Sequence, residues 1–144
     1  MSIGGAVGAA FSFAFGDVKP LLVWLCIFVT IDMATGMLAA IRLHEWSSSK
    51  IFYGSIRKIM MFTIIALAHG LDEALRGIAD FQFVQSVTIV AYTAGEFGSI
   101  LKNLERAGLD GIVPPVLRYI LYAINQYIDE KVSKTLPIKL EKKE

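Results

Sequence analysis

The sequence predicts an all-α integral membrane protein: three transmembrane helices followed by a C-terminal amphipathic helix, assembled into oligomers. Three observations lead there. Of the 144 residues, 55% are hydrophobic, and the mean hydropathy of +0.57 exceeds what a soluble domain of this size shows. Three segments are apolar nearly all round, whereas helices of a soluble bundle place polar residues every three or four positions. The charges are segregated, with none in residues 1–16 and five lysines between Lys131 and Lys143, so the net charge of +1 says little.

Residues 1–19 form an uncharged Gly- and Ala-rich leader up to Asp17, suited to the outer side of a membrane or to dipping into its interface. The apolar run that follows is too long for the core of a signal peptide and lacks a small-x-small cleavage site after it, so it reads as retained. A three-span domain is expected over residues 20–101. A bilayer core of about 30 Å needs roughly 20 helical residues. Leu21 to Leu43 supplies them, with Pro20 where a helix can begin.

"HEWSSSK" then offers Trp46 as an interfacial anchor and serines for a turn or helix cap. The second span runs from about Phe52 to Leu71, continuing as helix to Leu75, and Arg57 and Lys58 near its start can snorkel. The third runs from about Phe81 to Leu101 and makes a hairpin with the second.

Residues 102–132 read as a Gly- and Pro-rich turn and an amphipathic helix from about Pro114 to Val132. Its seam is Leu117, Leu121, Ile124, Ile128 and Val132, with Arg118, Asn125, Gln126 and Asp129 on another face. Three placements fit this pattern: flat on the bilayer, a self-association seam between copies, or a short fourth span. Residues 133–144 read as a disordered basic tail suited to an anionic membrane surface. Arg42, Lys50, Arg57, Lys58, Lys102, Arg106 and Arg118 fall on one side of the spans, against Lys19 and Arg76 on the other. That asymmetry predicts an outside N-terminus and a cytoplasmic C-terminus.

Two carboxylates stand inside the spans. Asp32 lies at the centre of the first, where insertion of an aspartate costs about 2.5–3.5 kcal/mol against roughly 0.3–0.6 gained per large aliphatic residue. The span can insert, but Asp32 has reason to turn away from lipid. Thr35, Gly36, Ala39 and Ala40 share its face, narrow enough for close helix approach, so Asp32 marks an association face. The third span carries Gln85, Thr88, Tyr92, Glu96, Ser99 and Asn103 in one polar stripe beside Ala91, Ala94, Gly95 and Gly98. Such a stripe must meet a helix partner or water, since lipid cannot hydrogen-bond it.

Lys58 and Glu96 lie at matching depths in the antiparallel hairpin, so Glu96 is expected to pair with Lys58 or Arg57, within one chain or between neighbours. His69, Asp72 and Arg76 share a face at the other end, as a solvated helix end or a local network.

Catalytic readings fare poorly. His69 and Asp72 are merely helical neighbours without a nucleophile elbow, "HE" at His44 lacks a second histidine, and the leader glycines lack the Lys-Ser/Thr of a phosphate loop. The lone Cys26 makes neither an internal disulfide nor a cysteine-based zinc site. No catalytic residue, cofactor or metal ligand is therefore expected, and the basic residues flank membrane spans rather than forming a nucleic-acid face.

The order of "DMATGMLAA", "SSSK", "GSIRKI", "LAHGLD", "EFGSILKNLERAG" and "VPP", from about Pro20 to Leu117, resembles the phage-holin family that includes clostridial toxin-secretion holins. The residues that match are Asp32, Thr35, Gly36, the serines at 47–49, Arg57, Lys58, Asp72, Glu96, Ser99, Ile100, Asn103, Gly108 and Pro114. The resemblance implies a small non-enzymatic phage protein that assembles with itself in the cytoplasmic membrane of a bacterial host. It would form lesions through which a folded endolysin, or in relatives a large toxin, reaches the cell wall. A small ion channel or transporter subunit, or a non-permeabilising antagonist of a holin, would share the buried charges.

Overall fold

The computed structural model describes residues 3–17, 19–78 and 83–135, and these are all-helical apart from short connections. The helices are α1 (Ile3–Phe15), α2 (Pro20–Arg42), α3 (Ser48–Leu75), α4 (Val84–Arg106) and α5 (Val116–Thr135). The expected start of the third span at Phe81, and residues 136–144 of the expected tail, lie outside the described residues.

Local chemistry sets most boundaries. Pro20 opens α2, where its missing N–H costs nothing. The helix ends as His44 turns left-handed (φ 54°) and Glu45 N–H reaches back to the Ala40 carbonyl at 2.9 Å. Ser47 caps α3, its hydroxyl accepting from Lys50 N–H at 3.4 Å. This cap starts the helix four residues before Phe52, the expected start of the second span. Gly108, at φ 67°, closes α4 while Leu109 N–H bonds the Leu104 carbonyl at 2.9 Å. A short 3-10 turn, Asp110–Ile112, and two prolines lead into α5, whose last turn takes in Ser133 to Thr135 of the expected tail.

α4 is the central helix. It packs most extensively on α2 and also carries α3 and α5, while α1 rests on α3. α2 and α4 run in the same direction: Lys19 meets Gln85 at one end, Phe28 lies edge-on to Phe97 with centroids 6.0 Å apart, and Asp32 meets Asn103 further along. α2 and α3 do not pack backbone to backbone. Their side chains bridge the gap at one end in a core of Leu22, Leu25, Val29, Met61, Ile65 and Ile89, flanked by Phe15, Phe62 and Tyr92. In lipid, where apolar side chains lose nothing by facing outward, such a core holds helices by close packing rather than by escape from water.

The outward faces are apolar: Ile59 is 64% exposed and Leu67 68%, surface of a kind that soluble monomers rarely leave uncovered. α2 and α3 are each long and apolar enough to cross a membrane. α4 matches α2 in length at 23 residues, but its polar stripe dilutes its apolar composition, so length and composition single out two helices rather than the three expected. Hydroxyls on these helices bond their own backbone, as Thr30, Thr63 and Thr93 do four residues back, which satisfies them without water.

The leader adds an element that the sequence pattern left open. α1 docks Phe15 edge-on to Phe62 at 6.5 Å. Gly16 follows at φ 71° with a Cβ position only 2.8 Å from the His69 ring, so glycine is needed there for its backbone and its size alike.

Candidate functional site

Asp32 of α2, Lys58 of α3, and Glu96 and Asn103 of α4 meet in one cluster. Lys58 reaches from α3 between Asp32 of α2 and Glu96 of α4; its Nζ lies 2.7 Å from Asp32 Oδ2 and also pairs with Glu96 Oε2. Side-chain exposures of 17%, 11% and 12% for Lys58, Asp32 and Glu96 mean that each charge depends on the others. Asn103 completes the shell. Its Nδ2 donates to Asp32 Oδ1 at 3.0 Å and lies 3.3 Å from the Asp32 carbonyl and 3.4 Å from Thr35 Oγ1.

Thr35 donates in turn to the Ile31 carbonyl at 2.9 Å. Gly36 makes room: a Cβ there would stand 3.3 Å from Asn103 Nδ2. Among the described residues, no buried side-chain nitrogen or oxygen lacks a partner.

Glu96 thus pairs with Lys58 within one chain, one of the arrangements expected from their depths. Asp32, expected as a helix-association residue, joins the same cation. The cluster holds two carboxylates against one ammonium, a formal excess of one negative charge. Ser99 lines the space beside it. Arg57, the alternative partner for Glu96, is exposed and takes no ion-pair partner among the described residues.

Asp72 lies at the other end of the bundle and does different work. It is buried and accepts from Val84 N–H at 3.1 Å and Gln85 N–H at 2.9 Å, capping α4 from α3. The suggested network of His69, Asp72 and Arg76 does not form: His69 packs on Gly16, and Arg76 pairs with Glu73. Gln85, 1% exposed, donates to the Phe15 carbonyl at 2.8 Å and accepts from Lys19 Nζ at 3.1 Å. Its place on the polar stripe announced a partner, since a buried amide needs one. Nothing in the sequence pattern named Phe15 or Lys19.

The α5 seam is turned inward. Leu117, Leu121, Ile124, Ile128 and Val132 are all half-buried, a Cβ on Gly98 would stand 3.2 Å from Leu121 Cδ2, and Ile124 shares an apolar hollow with Leu21, Phe28 and Phe97. Arg118 lies 3.7 Å from Glu105 across the turn.

Because α3 stands off from α2, a cleft of about 340 Å³ runs from the cluster to the helix ends at Glu45, Lys50 and Arg106, past Gly54 and Arg57. Chemically the site is a charge store in an apolar frame, open at one end to polar surroundings.

Comparison with known proteins agrees with this frame. The model of a bacteriophage holin family matches residues 9–126. A probable holin of Bacillus phage phi105 is 31% identical over 125 residues, covering 85% of this chain and 87% of the relative. Uncharacterized proteins of Listeria innocua and Listeria monocytogenes are each 35% identical over 114 residues, 79% of this chain and 78% of each relative. No solved structure matches the chain.

Proposed function

Since the chain belongs to the bacteriophage holin family, we propose that it accumulates in the cytoplasmic membrane of a bacterial host, assembles with copies of itself and opens lesions. Through these an endolysin, or in relatives a large toxin, reaches the cell wall. In this reading it acts as a permeabiliser, not an enzyme, and needs no direct contact with the protein it releases.

α2, α3 and α4 are its three spans, the N-terminus lies outside and the C-terminus in the cytoplasm. The observation that carries the reading is the cluster of Asp32, Lys58, Glu96 and Asn103 enclosed by helices whose outer faces are apolar. A holin has to be stable as scattered subunits in lipid and also able to build a wall that faces water. Paired inside one chain, the charges suit lipid; turned to neighbours or to a lumen, they suit the lesion.

The test is controlled expression in a bacterial host with and without a cytoplasmic endolysin lacking an export signal, following turbidity and membrane potential. Sudden lysis with both proteins, together with loss of potential, is expected. Loss of potential without enzyme-dependent lysis would assign a small ion channel instead; neither effect would assign a non-permeabilising antagonist. Asp32→Asn and Asp32→Leu should each shift the time of lysis, and unchanged timing with both would remove Asp32 from the mechanism.

A further inference from the structure

We infer that the cleft between α2 and α3 seats the phosphate of an anionic phospholipid, held between Arg57 and Lys50 across Gly54. The inference rests on α3 crossing the membrane, as in the reading above, but not on lesion formation. Lys50, Gly54 and Arg57 follow one another at spacings of four and three, so they share one face of α3. All three line the same cleft. Lys50 and Arg57 are two turns apart, about 10 Å along the axis, and Gly54 between them carries no side chain, its Cβ position meeting nothing within 4 Å.

Charge points to an anion. Lys50, Arg57, Lys58 and Arg106 line the cleft along with Asp32 and Glu45. Both carboxylates are already engaged: Asp32 by Lys58 and Asn103, and Glu45 by Arg106 at 2.9 Å and, more loosely, Lys50 at 4.0 Å. Even with Glu96 counted, which shares Lys58, cations outnumber carboxylates and Arg57 is left over. It stands nine residues into α3, about 13 Å along a helix of 28 residues that is longer than a bilayer core, which leaves the guanidinium within snorkelling reach of the lipid headgroups.

A second copy of the chain offers Arg57 little. Within α2, α3 and α4, the carboxylates away from the helix ends are Asp32 and Glu96, and Lys58 holds both. A lipid phosphate sits where the guanidinium can rise to meet it. The opposite wall of the cleft includes Met33, Met37 and Ala40, flexible apolar surface for an acyl chain and of no use to a free phosphate ion.

The test is thermal unfolding of the full chain in micelles of a neutral detergent, titrated with phosphatidylglycerol, with phosphatidylcholine and with inorganic phosphate. Phosphatidylglycerol should raise the unfolding temperature and the other two should not. Arg57→Gln should weaken the half-saturation point about tenfold or more, the loss of one charge-assisted contact. Gly54→Leu, which fills the cleft and removes no charge, should do the same, and Lys102→Gln should leave it unchanged.

Equal stabilisation by phosphatidylcholine, or undiminished phosphatidylglycerol binding by both Arg57→Gln and Gly54→Leu, would overturn the inference. Reproduction of the effect by inorganic phosphate would also overturn it, by reassigning the cleft to a free anion. If Arg57→Gln does not fold, Gly54→Leu decides. Unaltered endolysin-dependent lysis by a variant that has lost the lipid would leave the holin reading intact, so the two can fail separately.

Discussion

Lys58→Met is the substitution from which the charge cluster predicts most. Methionine nearly matches the volume of lysine, so the change removes one ammonium and leaves Asp32 and Glu96 facing each other across its former place. Breaking a buried pair by removing one partner costs about 3–5 kcal/mol, and here the lost partner served two carboxylates. Asn103 still donates to Asp32 but offsets only a part of this, a hydrogen bond to a charged group being worth about 1.5–3 kcal/mol.

Asp32→Asn should be the milder change. It leaves one ammonium with one carboxylate and relieves the excess negative charge, but Asp32 accepts through both oxygens, from Lys58 and from Asn103. The new amide nitrogen must face one of these donors, so its cost should be about 1–3 kcal/mol, below that of Lys58→Met. The neutral combination Lys58→Met, Asp32→Asn, Glu96→Gln should recover most of the loss, because a buried ion cluster replaced as a whole is often neutral in stability. Equilibrium unfolding in mixed micelles, followed by circular dichroism, reads all three. Wild-type stability for Lys58→Met, or equal damage from Asp32→Asn, would refute the claim that Lys58 holds both carboxylates.

Other consequences are more local. Exchanging Lys58 and Glu96, as Lys58→Glu with Glu96→Lys, should rescue only part of the loss from either single reversal, since the carboxylate brought to position 58 would face Asp32; full rescue in the same unfolding assay would show that Asp32 is not coupled to the pair. Asp72→Ala removes the cap on α4 and should cost about 1 kcal/mol, visible as faster hydrogen exchange at the Val84 and Gln85 amides with the rest of α4 unchanged. Gly36→Leu drives a side chain into Asn103 and should cost about 1–3 kcal/mol of overpacking, measured by unfolding, with Gly36→Ala much milder because a small shift of the amide accommodates one methyl. Leu121→Asp with Ile124→Asp should free α5 from α4 and expose Arg118 and Lys131 to trypsin while α2 to α4 stay protected; equal protection would put the α5 seam elsewhere.

The sequence announced α2 most clearly, because a proline start and a long apolar run, in which Asp32 is the one charge before Arg42, leave little choice. It announced the Lys58–Glu96 pair through depth in a hairpin, but not the sharing of Lys58 with Asp32, and the reason is a boundary. With the second span begun at Phe52, Lys58 sits about five residues, or roughly 7 Å, from the depth of Asp32. With the helix begun at Ser48 under the Ser47 cap, Lys58 lies ten residues from its start and Asp32 ten from the end of α2, so the depths agree.

The Asp72 cap was hidden for another reason. It joins two helices across a turn, and helical spacing along α3 reports only neighbours on that helix. The docking of α1 through Phe15, Gly16 and Gln85 is likewise a tertiary choice that no local pattern encodes.

The central position of α4 bears on how the proposed lesion forms. Gln85, Thr88, Glu96 and Asn103 of its polar stripe already have partners inside one chain, and the outer faces of α2 and α3 show Ile31, Leu38, Ile41, Ile59 and Leu67, none of which can line water. A water-facing wall has then to come either from an opened cluster or from the polar face of α5, where Asn125, Gln126 and Asp129 are exposed. Water that enters with the opening replaces the lost partners, so the cost of about 3–5 kcal/mol per unpaired buried charge acts as a barrier to assembly and not as a permanent penalty.

On the proposed reading, tying α2 to α4 should therefore stop permeation. Glu45 and Arg106 meet at 2.9 Å near the ends of these helices. Glu45→Cys with Arg106→Cys, in a Cys26→Ser background, can be joined by a short bis-maleimide in vesicles loaded with labelled dextran. Dextran release should fall on joining and persist when either cysteine is present alone. Undiminished release from the joined protein would rule out separation of α2 from α4 and leave the wall to α5 or to movement of α3, which brings Lys58.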